Sequence, residues 1–243
     1  MSPFLERAAT APQLAVVDLL KGWKSLAVIA PHPDDETLGC GALLHGALEM
    51  GIPCRVICMT DGSASHPNSR SHDRDSLAAL RQRELRAALA CLTPPGAAPI
   101  ELIAPPWPDC GMPQRGEPAF EAGTAWLSGQ VPQNAFVLCS WGKDPHVDHD
   151  RSATIAAAAA CGRPDIALWH YPVWGRFGPA PAEDTRMHLL VADDAARAAK
   201  RRALACHASQ MSGLIPDDPG GFVMHRDHQA HFLDHPEIVI APA

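Results

Sequence analysis

Short apolar runs alternate with helical segments between residues 25 and 171, and this alternation limits the fold more than any other feature of the chain. Residues 25–30, 54–60, 100–103, 135–140 and 166–171 read as strands, and 38–50, 73–92, 120–127 and 152–160 as the helices between them. The clearest helix carries Leu77, Leu80, Leu85, Leu89 and Leu92 at helical spacing and is stopped by Thr93-Pro94-Pro95. Strand–helix repetition of this kind predicts an α/β fold: a Rossmann-like, doubly wound, mainly parallel sheet covered on both faces. Beyond Val173 the pattern weakens to a strand at 187–191, a helix at 194–207 and a last strand at 237–240. No linker or repeat interrupts the chain, so residues 1–243 read as one domain, with a core at 25–173 and a less regular C-terminal part at 174–243.

The 243 residues suffice to bury a continuous core without crosslinks. No apolar run approaches the ~20 residues of a membrane span. Residues 1–20 lack the marks of a signal peptide, so a cytoplasmic location is expected. The net charge of −7, with both signs interspersed, gives no footprint for nucleic acid. The eight cysteines include no Cys-x-x-Cys pair and sit mostly in apolar surroundings, as expected of reduced core residues.

Parallel α/β sheets place ligands at the carboxyl ends of their strands. Directly after the first core strand comes Pro31-His32-Pro33-Asp34-Asp35-Glu36-Thr37. A dinucleotide-binding turn is glycine-rich there, and three carboxylates would repel a pyrophosphate. Carboxylates so dense after an apolar strand call for a cation instead. Directly after the fourth strand comes Asp144-Pro145-His146-Val147-Asp148-His149-Asp150. Acidic residues at a helix start often serve only as caps, yet a second His-x-Asp-His loop at the same sheet edge is hard to explain that way. His32, Asp35 and one histidine of the second loop would form a three-ligand metal site, leaving Asp34 as a base and the remaining histidine facing the reacting group.

These motifs, together with Thr60-Asp61-Gly62, Arg81-Gln82-Arg83-Glu84 and Pro108-Asp109-Cys110-Gly111, occur in an order that resembles the PIG-L/LmbE-like metal-dependent de-N-acetylases, which act on N-acetylglucosamine conjugates. The resemblance runs from Ser25 to Val173, and Tyr171-Pro172-Val173-Trp174 and His207-Ala208-Ser209-Gln210 look like a bacterial branch of that family. It implies zinc, with iron compatible with the same donors, held by His32, Asp35 and His149. It implies Asp34 as general base, a protonated His146 at the reacting carbonyl, and Asp148 orienting His146. Arg81 and Asp109 match positions that contact the sugar or its aglycone, and Glu36 looks structural. One departure lies at the rim, where Gly142 separates Trp141 from Lys143. The implied partner is a small amino-sugar conjugate.

Two other functions share these residues: a metal-dependent amidase on another sugar-conjugate amide, and a non-catalytic carbohydrate-binding relative. An unliganded Asp34 argues against the latter. Arg81, with Arg83 and Arg86, could equally form a solvated face, and Asp109 an ordinary turn. Trp107, Trp141 and Trp174 stand beside the motifs as stacking or packing residues. His225, His228, His231 and His235 cluster without a carboxylate-rich strand end, which disfavours a second metal site.

Overall fold

Along residues 25–30 successive side chains must point to opposite faces of a sheet, and both faces here are apolar. In the computed structural model, which describes residues 1–242, both are covered by helices. The first half of the chain gives α1 (Pro3–Ala8), β1 (Gln13–Ala15), α2 (Val16–Leu19), β2 (Ser25–Ala30), α3 (Asp35–Glu49), β3 (Cys54–Cys58), α4 (Arg74–Leu92) and β4 (Glu101–Ile103). Then follow α5 (Pro118–Gln130), β5 (Ala135–Ser140), α6 (Val147–Ala160), β6 (Ile166–Tyr171) and a 3-10 turn (Trp174–Phe177). The chain closes with β7 (Met187–Val191), α7 (Asp194–Cys206), α8 (Ala208–Met211), α9 (Arg226–Asp234) and β8 (Glu237–Ile240). No helix among the described residues is long and apolar enough to cross a membrane.

The eight strands form one sheet in the order β1-β7-β8-β6-β5-β2-β3-β4, in which β8 alone runs antiparallel to its neighbours. Leu26, Val28, Val56 and Leu138 face α3, α4 and α7, where Leu43, Leu44, Leu85, Leu89 and Ala203 complete the larger core. Ala27, Ile29, Ile57 and Val137 face α5 and α6, where Phe120, Leu127 and Ile155 complete the other. From β2 the chain builds outward through β3 and β4, then returns to lay β5 on the other side of β2. The strand order therefore reverses between β2 and β5, and the loops leaving them diverge around a crevice.

Two helices begin earlier than their apolar periodicity suggests: α3 at Asp35 instead of 38, and α6 at Val147 instead of 152. Their first turns are polar, so they carry no hydrophobic period. His146 caps α6 by accepting from the Asp148 N–H (3.2 Å). The ionisable residues of both loops are thus mounted on helix N-termini, not on free loops. The C-terminal part is also more regular than its sequence suggests, since β7 and β8 extend the same sheet and α7 packs on α3 and α4. The N-terminal segment contributes β1, paired with β7, and this strand is too short to leave a sequence pattern.

Glu237, at the head of β8, reaches the middle of α3 and accepts from the N–H groups of Ala42 (2.8 Å) and Leu43 (2.9 Å). Lys200 of α7 donates to Glu237 (2.7 Å) and to the Leu38 carbonyl (2.8 Å). Both side chains are buried. Glu237→Gln leaves that ammonium buried without its counter-charge and is expected to cost about 3–5 kcal/mol, measured by urea denaturation.

Candidate metal centre

His32 leaves the end of β2 and Asp35 opens α3, while His146 caps α6 and Asp148 and His149 lie in its first turn. The crevice between β2 and β5 brings these groups together. Asp35 Oδ2 lies 3.3 Å from His32 Nδ1 and 3.3 Å from His149 Nε2. Donor atoms bound at ~2.0–2.1 Å to a tetrahedral ion stand roughly 3.3–3.4 Å apart, so Asp35 Oδ2 lies at ligand-to-ligand distance from one nitrogen of each histidine. His149 Nε2 is buried and has no hydrogen-bond partner. Its other nitrogen, Nδ1, is held by Asp144 Oδ2 at 2.9 Å.

The Asp144 carboxylate also accepts from the backbone N–H groups of Val173 (2.8 Å), Trp174 (3.1 Å) and Gly175 (2.7 Å). Position 175 must be glycine for this approach, because a Cβ there would sit 2.5 Å from Asp144 Oδ1. A carboxylate fixed this firmly sets the tautomer and orientation of the histidine it holds. His32 is braced likewise: its Nε2 meets Asp148 Oδ2 at 3.1 Å and Asp109 Oδ1 at 3.4 Å. Among the described residues the trios whose donor atoms all converge are His32, His146 and His149, and His32, Asp109 and Asp148; the expected set of His32, Asp35 and His149 is not one of them, and the centre is a nest of nitrogen and carboxylate donors. Such donors suit zinc and iron alike.

Asp34 stands apart from the ligand pair. It has φ of 152°, a conformation that costs a non-glycine residue strain, and it turns its carboxylate onto Arg81 Nη2 (3.1 Å). Burial pushes its carboxyl up to about 6, against the opposing pull of the Arg81 guanidinium. Asp35 is the opposite case: burial alone would raise it, but His149 and His32 hold it far below the usual carboxylate range. Burial works to lower His149, yet Asp35 and Asp144 push it up to about 9. His32 behaves in the same way, burial being outweighed by Asp109, Asp148 and Asp35. Without a metal, protons on these two histidines neutralise the carboxylates.

Three sequence-derived roles meet a different geometry. The Asp148 carboxylate faces His32 and accepts from the Cys110 N–H (2.8 Å); it is the Asp148 backbone N–H that engages His146. Burial, and then repulsion from His32 and His149, lowers the His146 pKa, a direction that opposes the charged form expected from the sequence. Arg81 is not a free sugar-binding group, because its guanidinium is taken up by the Gly62 carbonyl (3.0 Å), the Pro33 carbonyl (2.9 Å) and Asp34. Asp109 lies beside His32 with Oδ2 on the Ala64 N–H (3.0 Å), and both it and Arg81 line the cavity above the centre. Glu36 is structural, as the sequence suggests: it accepts from the Asp34 N–H (3.0 Å) and contacts His207 Nε2 (3.3 Å).

Among the tryptophans only Trp174 lines that 710 Å³ cavity; Trp107 packs on Trp126 and Trp141 on Phe4. His228 stacks on Phe177 and also meets Trp174 edge-on with centroids 6.0 Å apart, and His231 stacks on His235, so these histidines serve as packing partners. Cys40, Cys54, Cys58 and Cys139 are buried, whereas Cys110 and Cys161 are exposed. Sequence reasoning missed Asp144, Gln210 and Phe222. Asp144 offered one signal, its position at the head of the second loop, but the three N–H groups that fix it come from residues some thirty positions later.

Two outcomes are expected. His149→Ala abolishes stoichiometric metal uptake, and Asp144→Asn weakens it by about 10–100-fold, as read by metal titration. Because Asp35 and Asp144 hold the His149 pKa up to about 9, and His32 is also raised, metal binding at pH 7 displaces roughly one to two protons, and affinity rises with pH through about 9. Calorimetric titration in buffers of different ionisation enthalpy counts the protons released; a count of zero would contradict the assigned ligands.

Residues 27–160 match the family model for PIG-L, the GlcNAc-PI de-N-acetylases. A 1D-myo-inositol 2-acetamido-2-deoxy-alpha-D-glucopyranoside deacetylase from Gordonia bronchialis is 29% identical over 166 residues, covering 57% of this chain. The chain spans 59% of that relative's length. In structure the chain is similar to the N,N'-diacetylchitobiose deacetylase from Pyrococcus horikoshii, with a TM-score of 0.58 and 22% identity over 82% of this chain and 75% of that one. It is also similar to the teicoplanin deacetylase Orf2, with a TM-score of 0.63 and 17% identity over 89% of this chain and 97% of that one. With more than half of its length matched by the family model, the chain belongs to the PIG-L family.

Proposed function

We propose that this protein is a metal-dependent hydrolase that removes the acetyl group from an N-acetylglucosamine-type amino-sugar conjugate, with zinc held by His32, Asp35 and His149. The observation that carries this reading is Asp34: a buried carboxylate next to the ligands but turned away from them, with its pKa raised to about 6. A binding protein has no use for such a group, whereas a hydrolase needs a base poised near its working pH. Membership of the PIG-L family and the amino-sugar substrates named for its relatives support the same reaction class.

A metal bound by these residues supplies Lewis-acid polarisation of the acetyl carbonyl and activation of water. Asp34 takes the proton of the attacking water, and that proton is returned to the leaving amine by Asp34 or supplied there by His146. Arg81 keeps Asp34 in place and prevents burial from raising its pKa further. His146 acts as a neutral donor: its Nδ1 accepts from the Asp148 N–H, so the ring proton resides on Nε2. Directed at the acetyl group, that N–H stabilises the oxyanion of the tetrahedral intermediate. One well-placed donor of this kind is worth about 3–4 kcal/mol. Asp148 and Asp109 keep His32 oriented through its Nε2.

Incubating the metal-loaded protein with N-acetylated glucosamine conjugates and measuring acetate and free amine tests the reading; absence of acetate release from the whole set would refute it. Asp34→Asn is expected to keep its metal and lose at least ~100-fold in kcat. In the wild type, activity falls as pH drops through about 6, because the base must be ionised. His146→Ala retains metal and lowers kcat by about 100–1000-fold.

A further inference from the structure

Part of the cavity lining is apolar, and its largest side chains come from the C-terminal part of the chain. Trp174, Phe222 and Val223 form it, together with Leu38 and Pro67. Phe222 is 37% exposed and Val223 44%, so two adjacent large apolar side chains are left in contact with solvent at the mouth of the site. Isolated exposed apolar residues are ordinary; a contiguous pair joined to a tryptophan in a concave site is a binding feature.

This lip is built, not loose. The Phe222 N–H donates to the Ser65 carbonyl (2.7 Å) and the Met224 N–H to the Gln210 carbonyl (2.8 Å). Asp218 accepts from the Asn68 N–H (2.8 Å), and Phe222 meets Trp174 edge-on with centroids 5.7 Å apart. Gly221 passes so close beneath His66 that any side chain there would run into the ring. A surface held from both sides in this way presents its apolar atoms without an ordering cost on binding.

The charges of the cavity narrow the ligand further. Asp34, Asp35 and Asp109 line it, and Arg81 is the one Lys or Arg among the lining residues. The two Nη groups of that guanidinium already donate to Gly62, Pro33 and Asp34, while its Nε is buried without a partner. A carboxylate or phosphate on the far end of a substrate would find no Lys or Arg to pair with among the lining residues apart from Arg81. The cavity, at 710 Å³, is also larger than one amino sugar requires.

The geometry points to an aglycone subsite formed by Trp174, Phe222 and Val223 that takes an uncharged, apolar or aromatic group attached to the amino sugar. This assignment rests on the proposed deacetylase reading and names the substrate class within it. Anionic conjugates are disfavoured by the same site.

The test compares phenyl and octyl glycosides of N-acetylglucosamine with free N-acetylglucosamine and its 1-phosphate, using the wild-type protein and Phe222→Ser and Val223→Ser variants. Acetate release gives KM and kcat, and calorimetry gives binding independently of turnover. Wild-type protein is expected to bind the phenyl glycoside at least ~10-fold more tightly than the free sugar, the 1-phosphate being weakest. Each variant collapses that ratio toward one. Equal affinity for phenyl glycoside and free sugar, a preference for the phosphate, or a ratio unchanged by both substitutions would overturn the subsite. If calorimetry gives the expected ratio while no conjugate releases acetate, the deacetylase reading fails and the apolar subsite stands.

Discussion

Carboxylates can be buried together only where positive charge lies among them, and the site depends on that constraint. Asp34, Asp35, Asp109, Asp144 and Asp148 are all buried at one edge of the sheet, with His32, His149 and Arg81 between them. The topology makes the cluster possible by opening a crevice where the strand order reverses, and helix N-termini contribute partial positive charge from α3 and α6. It is completed at some conformational expense: Asp34 (φ 152°) and Cys110 (φ 63°) are two of the three non-glycine residues with positive φ among the described residues. Both border the metal centre. Two histidines between carboxylates can carry the compensating charge as protons or yield their lone pairs to a divalent ion, so the metal-free state is one that a metal readily replaces.

Much of this was legible in the sequence because the core strands are buried on both faces and read as unbroken apolar runs. Ionisable residues packed directly behind such runs, as in His32 to Glu36 and His146 to His149, stand out against them. The helix starts were less legible, because capping turns such as Asp34-Asp35 and His146-Val147-Asp148 carry no apolar period. Long-range polar partners were not legible at all. Nothing in the sequence near Glu84 says that its carboxylate will hold the Ser209 N–H (2.7 Å) and hydroxyl (2.6 Å), although that pair places Gln210 in the cavity. Likewise the link between His207 and Glu36 joins two segments that fold together only through α7 and α3.

The division of labour along the chain follows from the same packing. The stretch shared with the family, residues 27–160, contains every proposed metal ligand, the base and the oxyanion donor. Trp174, Gln210, Phe222 and Val223, which line the cavity, all lie beyond it. On the proposed reading, the reacting groups come from the shared stretch, while the largest apolar side chains over the same cavity come from beyond it. The buried Lys200–Glu237 pair and its grip on the centre of α3 tie those parts together.

Asp144 joins them at a second point, with a further consequence. One carboxylate both orients His149 and gathers the N–H groups of Val173, Trp174 and Gly175, so the ring that would ligate the ion and the indole that lines the cavity share a pivot. A change that reshapes the 173–175 turn to admit a bulkier substrate must shift that carboxylate and, through it, the imidazole. Selectivity and metal retention are therefore not independent traits in this protein. Phe222 reaches that pivot only through its edge-on contact with Trp174 (5.7 Å), whereas the 173–175 turn binds it directly, so the lip stands one contact further from the imidazole than the turn does.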